Sequence, residues 1–234
     1  MYAGGDGLKE ISFPLILVNL KTYREAVGEL AVKLVSIAEE AAKAMGVCVA
    51  LAPQTVDLYR IVSETNAPIF AQHIDPVGYG KYTGHVLPEA VAKAGCAGTL
   101  INHSERRLCL GTIKNTVGRA KEAGLIQVVC VDSVKTGRSV APFDPNVIAI
   151  EPPELIGTGI PVSKARPEVV SGAVEAVHEI NPRVRVLCGA GITSGEDVAA
   201  AINLGAEGVL VASGVVKAPD PYEKLLELAE AARR

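Results

Sequence analysis

The stretch at residues 147–159, VIAIEPPELIGTG, indicates both the fold and the place of the chemistry. Residues 147–150 are a short, branched apolar run, which is typical of a parallel strand buried on both faces. Glu151 follows at once, so a carboxylate stands where the predicted strand ends. Two prolines then restrict the backbone, whereas Gly157 and Gly159 allow it a wide range of conformations. We interpret Glu151 as a base under a lid, and the alternative is a surface glutamate that opens an ordinary loop.

Short apolar runs of the same kind recur along the whole chain. We predict strands at residues 13–18, 47–52, 69–71, 98–101, 127–131, 147–150, 184–188 and 208–211. Helical sequence is predicted at 26–45, 54–64, 88–94, after 102–105 as far as 124, and at 167–180, 194–204 and 220–233. Residues 132–146 show little helical periodicity, which predicts a reduced helix after the fifth strand. Eight strands with mostly helical crossovers in 234 residues predict an α/β fold, a (β/α)8 barrel forming one domain over residues 1–234.

The composition excludes several classes of protein. Hydrophobic residues make up 49% of the chain and charged residues 21%, which is typical of a globular protein. The net charge is −3 and there is no basic block, so we expect no nucleic-acid partner. No apolar run reaches about 18 residues, so we expect no membrane span. The five cysteines include no Cys-x-x-Cys pair, and we expect reduced, mostly buried thiols in a cytoplasmic protein.

Three polar residues follow different predicted strands. Lys21 follows the first strand, His103 the fourth and Glu151 the sixth. In a (β/α)8 barrel the carboxyl ends of all strands meet at one face, so these side chains are expected to share one mouth. Taken singly, His103 could be a hydrogen-bonded structural histidine and Lys21 a solvated surface charge. No pair of His or Cys residues has the spacing of a metal site, and we expect no metal.

Small residues follow the last two predicted strands. Gly191 comes after the seventh strand, and Ala212 and Ser213 come after the eighth. Small side chains at these positions allow backbone N–H groups to face an anion, and this is where barrels commonly bind phosphate. We therefore predict a phosphate site there.

Three separated motifs resemble the triosephosphate isomerase family, and the resemblance covers nearly the whole chain. They are Asn-Leu-Lys at residues 19–21, Asn-His-Ser-Glu-Arg-Arg at 102–107, and the glutamate and lid at 151–159. Gln72 and the Thr-Gly pair at 83–84 resemble the interface loop of that family. The resemblance implies interconversion of dihydroxyacetone phosphate and D-glyceraldehyde 3-phosphate through an enediolate.

The resemblance also implies a role for each motif residue. Glu151 is expected to move the proton, and His103 to act as a neutral hydrogen-bond donor to the oxyanion. A neutral histidine beside a glutamate base is the known arrangement of this same family, so these two roles follow from the resemblance. If Ser104 and Glu105 begin a helix, its N–H groups would disfavour a charged imidazole. Lys21 is expected to neutralise substrate charge, with Asn19 hydrogen-bonding nearby.

The remaining implied roles concern the phosphate group. Backbone groups of Gly157, Gly191, Ala212 and Ser213 are expected to bind it, Ile156 to close over the substrate, and no cofactor to be needed. The family's Gly-Gly-Ser after strand seven is Gly-Ala-Gly at residues 189–191 here. Such departures resemble the shorter archaeal branch, which implies a homotetramer, with a dimer as the alternative, acting in glycolysis and gluconeogenesis.

Two other functions remain compatible with such a barrel. One is a phosphate-binding enzyme of another kind, such as an aldolase that uses Lys21 as a Schiff base. The other is a non-catalytic barrel that binds phosphometabolites. Trapping with borohydride would identify the first, and the absence of exchange between substrate protons and solvent would identify the second.

Overall fold

Eight parallel strands form the centre of the molecule in a computed structural model that describes residues 10–152 and 161–233. They are β1 (Leu15–Asn19), β2 (Cys48–Ala52), β3 (Phe70–Ala71), β4 (Gly98–Ile101), β5 (Ile126–Val131), β6 (Val147–Ile150), β7 (Arg185–Gly189) and β8 (Gly208–Val211). The order in the sheet is β2-β1-β8-β7-β6-β5-β4-β3. A parallel bridge between Leu51 and Ile69 joins the two end strands, so the sheet curls into a barrel.

Helices connect successive strands on the outside of the barrel. They are α1 (Glu29–Met45), α2 (Leu58–Glu64), α3 (Pro88–Lys93), α4 (Leu110–Glu122), α5 (Val134–Val140), α6 (Val162–Ala165), α7 (Pro167–His178), α8 (Gly195–Asn203), α9 (Ser213–Val216) and α10 (Pro221–Ala232). The predicted reduction after β5 is seen, because α5 has seven residues and continues only as a short 3₁₀ turn. Within the described residues, no helix has the length and apolar character to cross a membrane.

The helix after β4 begins later than the sequence predicts. Ser104 and Glu105 lie in a turn, and α4 begins only at Leu110. Asn102 explains the delay, because its backbone has a positive φ of 62° and its side chain accepts a hydrogen bond from Leu108 N at 2.8 Å. The same side chain donates to Cys130 O at 2.8 Å, which ties this loop to β5. The condition that Ser104 and Glu105 begin a helix is therefore not met.

Alternation along the strands decides which side chains reach the mouth of the barrel. In β6, Val147 and Ala149 pack in the apolar cluster inside the barrel, whereas Ile148 and Ile150 pack against the outer helices. Successive side chains of a strand point to opposite faces. The next inward position after Ala149 is Glu151, so the strand itself directs this carboxylate into the barrel mouth.

Candidate active site

One cleft at the carboxyl ends of the strands contains most of the predicted site residues. Its lining includes Asn19, Lys21, His103, Glu151, Gly191, Ala212 and Ser213. Ile156 and Gly157, which we predicted to bind substrate, lie outside the described residues. The structure adds lining residues that the sequence analysis missed, namely Tyr23, Ala190, Ile192, Thr193, Leu210 and Val211. Each of these lies within two positions of a predicted residue, so their proximity along the chain was the available signal.

Glu151 is held in an almost fully buried position. It is 6% exposed, and its Oε2 atom has no hydrogen-bond partner among the described residues. Its side chain lies directly against β7, because a Cβ atom added at Gly189 would come within 2.4 Å of Glu151 Cγ. Burial raises the pKa of Glu151, although the Cys130 thiol and Lys21 oppose this rise. A raised pKa brings a carboxylate closer to the value that suits a base at neutral pH.

His103 faces this carboxylate and has a defined tautomer. Its Nε2 atom lies 3.7 Å from Glu151 Oε2, and the ring is 7% exposed. Its Nδ1 atom accepts a hydrogen bond from the backbone N–H of Glu105 at 3.2 Å. An accepting Nδ1 carries no proton, so this contact assigns a neutral ring with its proton on Nε2, pointing into the cleft. The backbone N–H of Glu105 thus disfavours a charged imidazole, as the N–H groups of a helix N-terminus would have done.

Lys21 also lines the cleft and is fixed there by three contacts. Its backbone has a positive φ of 47°, and its N–H donates to Asn19 Oδ1 at 3.0 Å. Gln72 Nε2 donates to Lys21 O at 2.9 Å and also to Ala52 O at 2.9 Å. The Lys21 ammonium lies 2.7 Å from Glu105 Oε1. Glu105 therefore holds the cation with its side chain and the imidazole with its backbone.

The loops after β7 and β8 form the remaining wall. Ala190 and Gly191 both have left-handed backbones, with φ values of 68° and 73°. A non-glycine residue in that region costs about 1–3 kcal/mol and needs support from its surroundings. Close packing provides part of that support, because a Cβ at Gly214 would lie 2.8 Å from Ile192 O. The two loops are therefore in direct backbone contact, with α9 beginning at Ser213 beside them.

The geometry suits proton transfer next to a polarised oxygen. A buried carboxylate and a neutral N–H donor face the same space, and a lysine ammonium held by Glu105 lines the same cleft. Such groups can abstract a proton from carbon while stabilising the negative oxygen that forms. In the described part of the chain, His, Cys, Asp and Glu do not gather in groups that could hold a metal ion.

The fold and the cleft together define a (β/α)8-barrel protein whose polar groups converge at the carboxyl ends of its strands, where barrel enzymes have their active sites. A family model described as triosephosphate isomerase matches residues 14–232. The chain therefore belongs to the triosephosphate isomerase family.

Curated relatives and a solved structure agree with this membership. The chain is 54% identical to the triosephosphate isomerase of Methanocaldococcus jannaschii, over 92% of this chain and 98% of the relative. It is 51% identical to that of Methanosarcina barkeri, over 93% and 98%. A crystal structure of triosephosphate isomerase from Bartonella henselae has a TM-score of 0.74 at 20% identity, covering 94% of this chain and 99% of that chain. This last match concerns the fold alone and confirms the predicted TIM barrel.

Proposed function

We propose that this chain is a triosephosphate isomerase that interconverts dihydroxyacetone phosphate and D-glyceraldehyde 3-phosphate through an enediolate. Family membership over residues 14–232 supports the reaction. The observation that carries the mechanism is the pairing of a buried carboxylate with a neutral imidazole N–H, with 3.7 Å between Glu151 Oε2 and His103 Nε2. A substrate carbon and its oxygen, bound between these groups, would meet a base and a hydrogen-bond donor together.

Glu151 acts as the base in this proposal. It takes the proton from one carbon and returns it to the neighbouring carbon, while His103 Nε2–H donates to whichever oxygen becomes negative. Lys21 reduces the negative charge of substrate and intermediate, and Asn19 holds the Lys21 backbone. A positioned base contributes about 10²–10⁴-fold to the rate, and a positioned oxyanion donor contributes a comparable amount.

The phosphate group is proposed to bind at the wall made by the β7 and β8 loops. Gly191, Ala212 and Ser213 line that wall, and their backbone N–H groups are the proposed donors. Ile156 and Gly157 are proposed to complete the site from residues outside the described part. Binding one end of the substrate there leaves its carbonyl end near His103 and Glu151, and the reaction requires no cofactor.

A Schiff-base aldolase remains the less favoured alternative. Such an enzyme needs a neutral lysine amine as nucleophile. Lys21 Nζ instead donates a hydrogen bond to Glu105 Oε1 at 2.7 Å, so the group is engaged with a carboxylate. The contact is therefore better suited to charge stabilisation than to attack on a carbonyl.

The first test is a coupled assay with glyceraldehyde 3-phosphate on the wild type and on Glu151→Gln. We expect rapid turnover by the wild type and a loss of at least about 10²-fold in the variant, since an amide cannot accept the proton. Far-ultraviolet circular dichroism of both proteins checks that the fold is retained. Full activity in the variant would show that Glu151 is not the base, and an inactive, folded wild type would favour a non-catalytic binding barrel.

We further propose that the chain acts as one barrel domain over residues 1–234 and assembles as a homo-oligomer, with a tetramer favoured over a dimer. A cytoplasmic place in glycolysis and gluconeogenesis follows from the proposed reaction. Light scattering on the purified protein measures the mass of the assembly. A mass equal to one chain of 24.3 kDa would rule the oligomer out.

A further inference from the structure

Asp197, in the first turn of α8, is a buried charge for which the mechanism above has no use. It is 2% exposed. Its Oδ2 atom accepts three hydrogen bonds, from Thr193 N at 3.0 Å, Thr193 Oγ1 at 3.1 Å and Ser194 N at 3.0 Å. Burial of a carboxylate is costly unless it is hydrogen-bonded, so these contacts are what allow Asp197 to lie here.

Helix capping explains only part of this arrangement. Ser194 and Asp197 form a reciprocal capping box, in which Asp197 N donates to Ser194 Oγ at 3.4 Å and Ser194 N donates to Asp197. A capping box needs the contact with Ser194 alone. The two further bonds from Thr193 reach beyond the helix, into the loop that follows β7.

That loop is the wall of the cleft at which the phosphate is proposed to bind. Gly191, Ile192 and Thr193 all line the cleft. Two residues at the start of this loop, Ala190 and Gly191, have left-handed backbones. A non-glycine residue such as Ala190 keeps this conformation only where the surrounding structure fixes it. Asp197 fixes the loop from the side of Thr193 and Ser194, just after these two residues.

The backbone of Asp197 also contacts α6, which lies between β6 and β7 in the chain. Ser163 of α6 is buried and donates from Oγ to Asp197 O at 3.3 Å. Residue 197 therefore contacts both the loop after β7 and the helix that precedes α7. This second contact is made by the backbone carbonyl, so it does not depend on the Asp197 side chain.

We propose that Asp197 is a positioning residue for the phosphate end of the substrate, acting through Thr193 on the loop at residues 190–193. This inference rests on the proposed function, because it concerns the same cleft. The proposal predicts a change in phosphate affinity opposite to the one expected from charge. A carboxylate close to an anion repels it, so removal of the charge alone would strengthen anion binding. If positioning dominates, removal of Asp197 weakens anion binding instead.

The test compares Asp197→Ala with Ser194→Ala as a matched control. Both variants break the capping box, but only the first releases Thr193. The inhibition constant of inorganic phosphate, its direct binding by calorimetry, and kcat and KM for glyceraldehyde 3-phosphate are measured for each. We expect phosphate to bind Asp197→Ala about tenfold more weakly, with a similar fall in kcat/KM, a loss equal to one strong hydrogen bond. In Ser194→Ala we expect phosphate affinity and kcat/KM to stay within about twofold of the wild type. Both variants should melt at a lower temperature than the wild type, because both lose the capping box.

Asp197→Asn provides a second, more conservative comparison. Its amide oxygen can still accept from Thr193 and Ser194, so we expect phosphate binding to weaken by only about threefold. If Asp197→Ala does not fold, the Asn variant decides the question against Ser194→Ala. Unchanged or tighter phosphate binding in the folded Asp197 variants would overturn the proposal.

The two proposals can fail separately. Wild-type turnover with unaltered phosphate binding in the Asp197 variants would remove the positioning role and leave the isomerase intact. If the wild type shows no turnover but the Asp197 variants bind phosphate more weakly than it does, the positioning role stands and the proposed reaction fails, since the calorimetric measurement does not depend on catalysis.

Discussion

The burial of Glu151 should have opposite effects on activity and on stability. A carboxylate with little access to water is a stronger base than an exposed one, which favours proton abstraction. The same burial makes the charged form costly in the folded protein, and its Oε2 atom has no partner among the described residues. The residue proposed to carry the chemistry is therefore expected to lower the free energy of unfolding.

This trade-off predicts that Glu151→Gln is more stable than the wild type at neutral pH. Burial raises the folded-state pKa of Glu151 above its ordinary value of 4.5, so the folded state binds more protons than the unfolded state between the two values. The stability cost therefore grows as pH rises through the folded-state pKa and is absent well below 4.5. Melting curves of both proteins from acid to neutral pH measure it. Each kcal/mol relieved raises the melting temperature by about 2–4 °C. A variant that is less stable at every pH would contradict this reasoning.

Gly189 is predicted to be essential because it leaves room for the Glu151 side chain. A methyl group at this position would lie 2.4 Å from Glu151 Cγ and 2.9 Å from its Cδ and Oε1 atoms. The carboxylate must then move, and a displacement of about 1 Å can cost as much as 10²-fold in rate. We expect Gly189→Ala to reduce kcat by about 10–100-fold while the protein still folds.

Gly118→Ala is the matched control for this variant. Gly118 lies in α4, and a Cβ added there meets no atom within 4 Å. Alanine is also preferred over glycine inside a helix, so this change should leave kcat unaltered and stability equal or higher. Steady-state kinetics on both variants decide the matter. An unchanged kcat for Gly189→Ala would show that Glu151 can adapt.

The sequence predicted the strands well because each one is buried on both faces. A parallel strand under helices is a short, continuous apolar run, and such a run is visible without any neighbour. β4, β6 and β8 begin and end at the predicted residues, and the other strands differ by one or two residues. Strand ends depend on hydrogen bonds to neighbouring strands, which periodicity does not record.

Helix α4 shows what periodicity alone could not predict. Its start is delayed by Asn102, whose side chain bonds Leu108 within the loop and Cys130 on the next strand. The second of these partners is 28 residues away in the chain. A contact of that range overrides the local preference for a helix and cannot be read from the pattern of apolar residues.

The sequence predicted which residues form the candidate site, but it did not predict most of the contacts that hold them in place. Lys21, His103 and Glu151 were found because a barrel brings all strand ends to one face. The close approach of Gly189 to Glu151 depends on the spacing between β6 and β7, which no residue pattern states. The Ser-x-x-Asp pattern at residues 194–197 is typical of a helix cap, but the contact between Ser163 and the Asp197 backbone joins residues 34 positions apart.

At the scale of the whole molecule, the loop after β3 (residues 72–87) is closed at its base by hydrogen bonds and carries exposed tyrosines. Asp75 accepts a hydrogen bond from Val86 N at 2.7 Å, which closes the base of the loop, and also contacts His73 Nε2 at 3.0 Å. Tyr79 and Tyr82 remain 67% and 47% exposed at its tip. Exposed aromatic residues on a fixed backbone are favourable in an interface, because little conformational entropy is lost on binding.

This loop is therefore predicted to carry the contact between copies of the chain. Tyr79→Asp places a charge at the tip, and Lys93, 5.6 Å from the Tyr79 ring centre, can pair with it in an isolated subunit. We expect the fold to survive while the assembly dissociates, because an unpaired charge is costly in a buried interface.

Ile180→Asp is the control, since Ile180 is also exposed, at 38%. Ile180 follows α7 between β6 and β7, on the opposite side of the barrel from β3. Sedimentation velocity should give a mass of two or four times 24.3 kDa for the wild type and the control, and a smaller species for Tyr79→Asp. The same mass for all three proteins would place the contact on another surface.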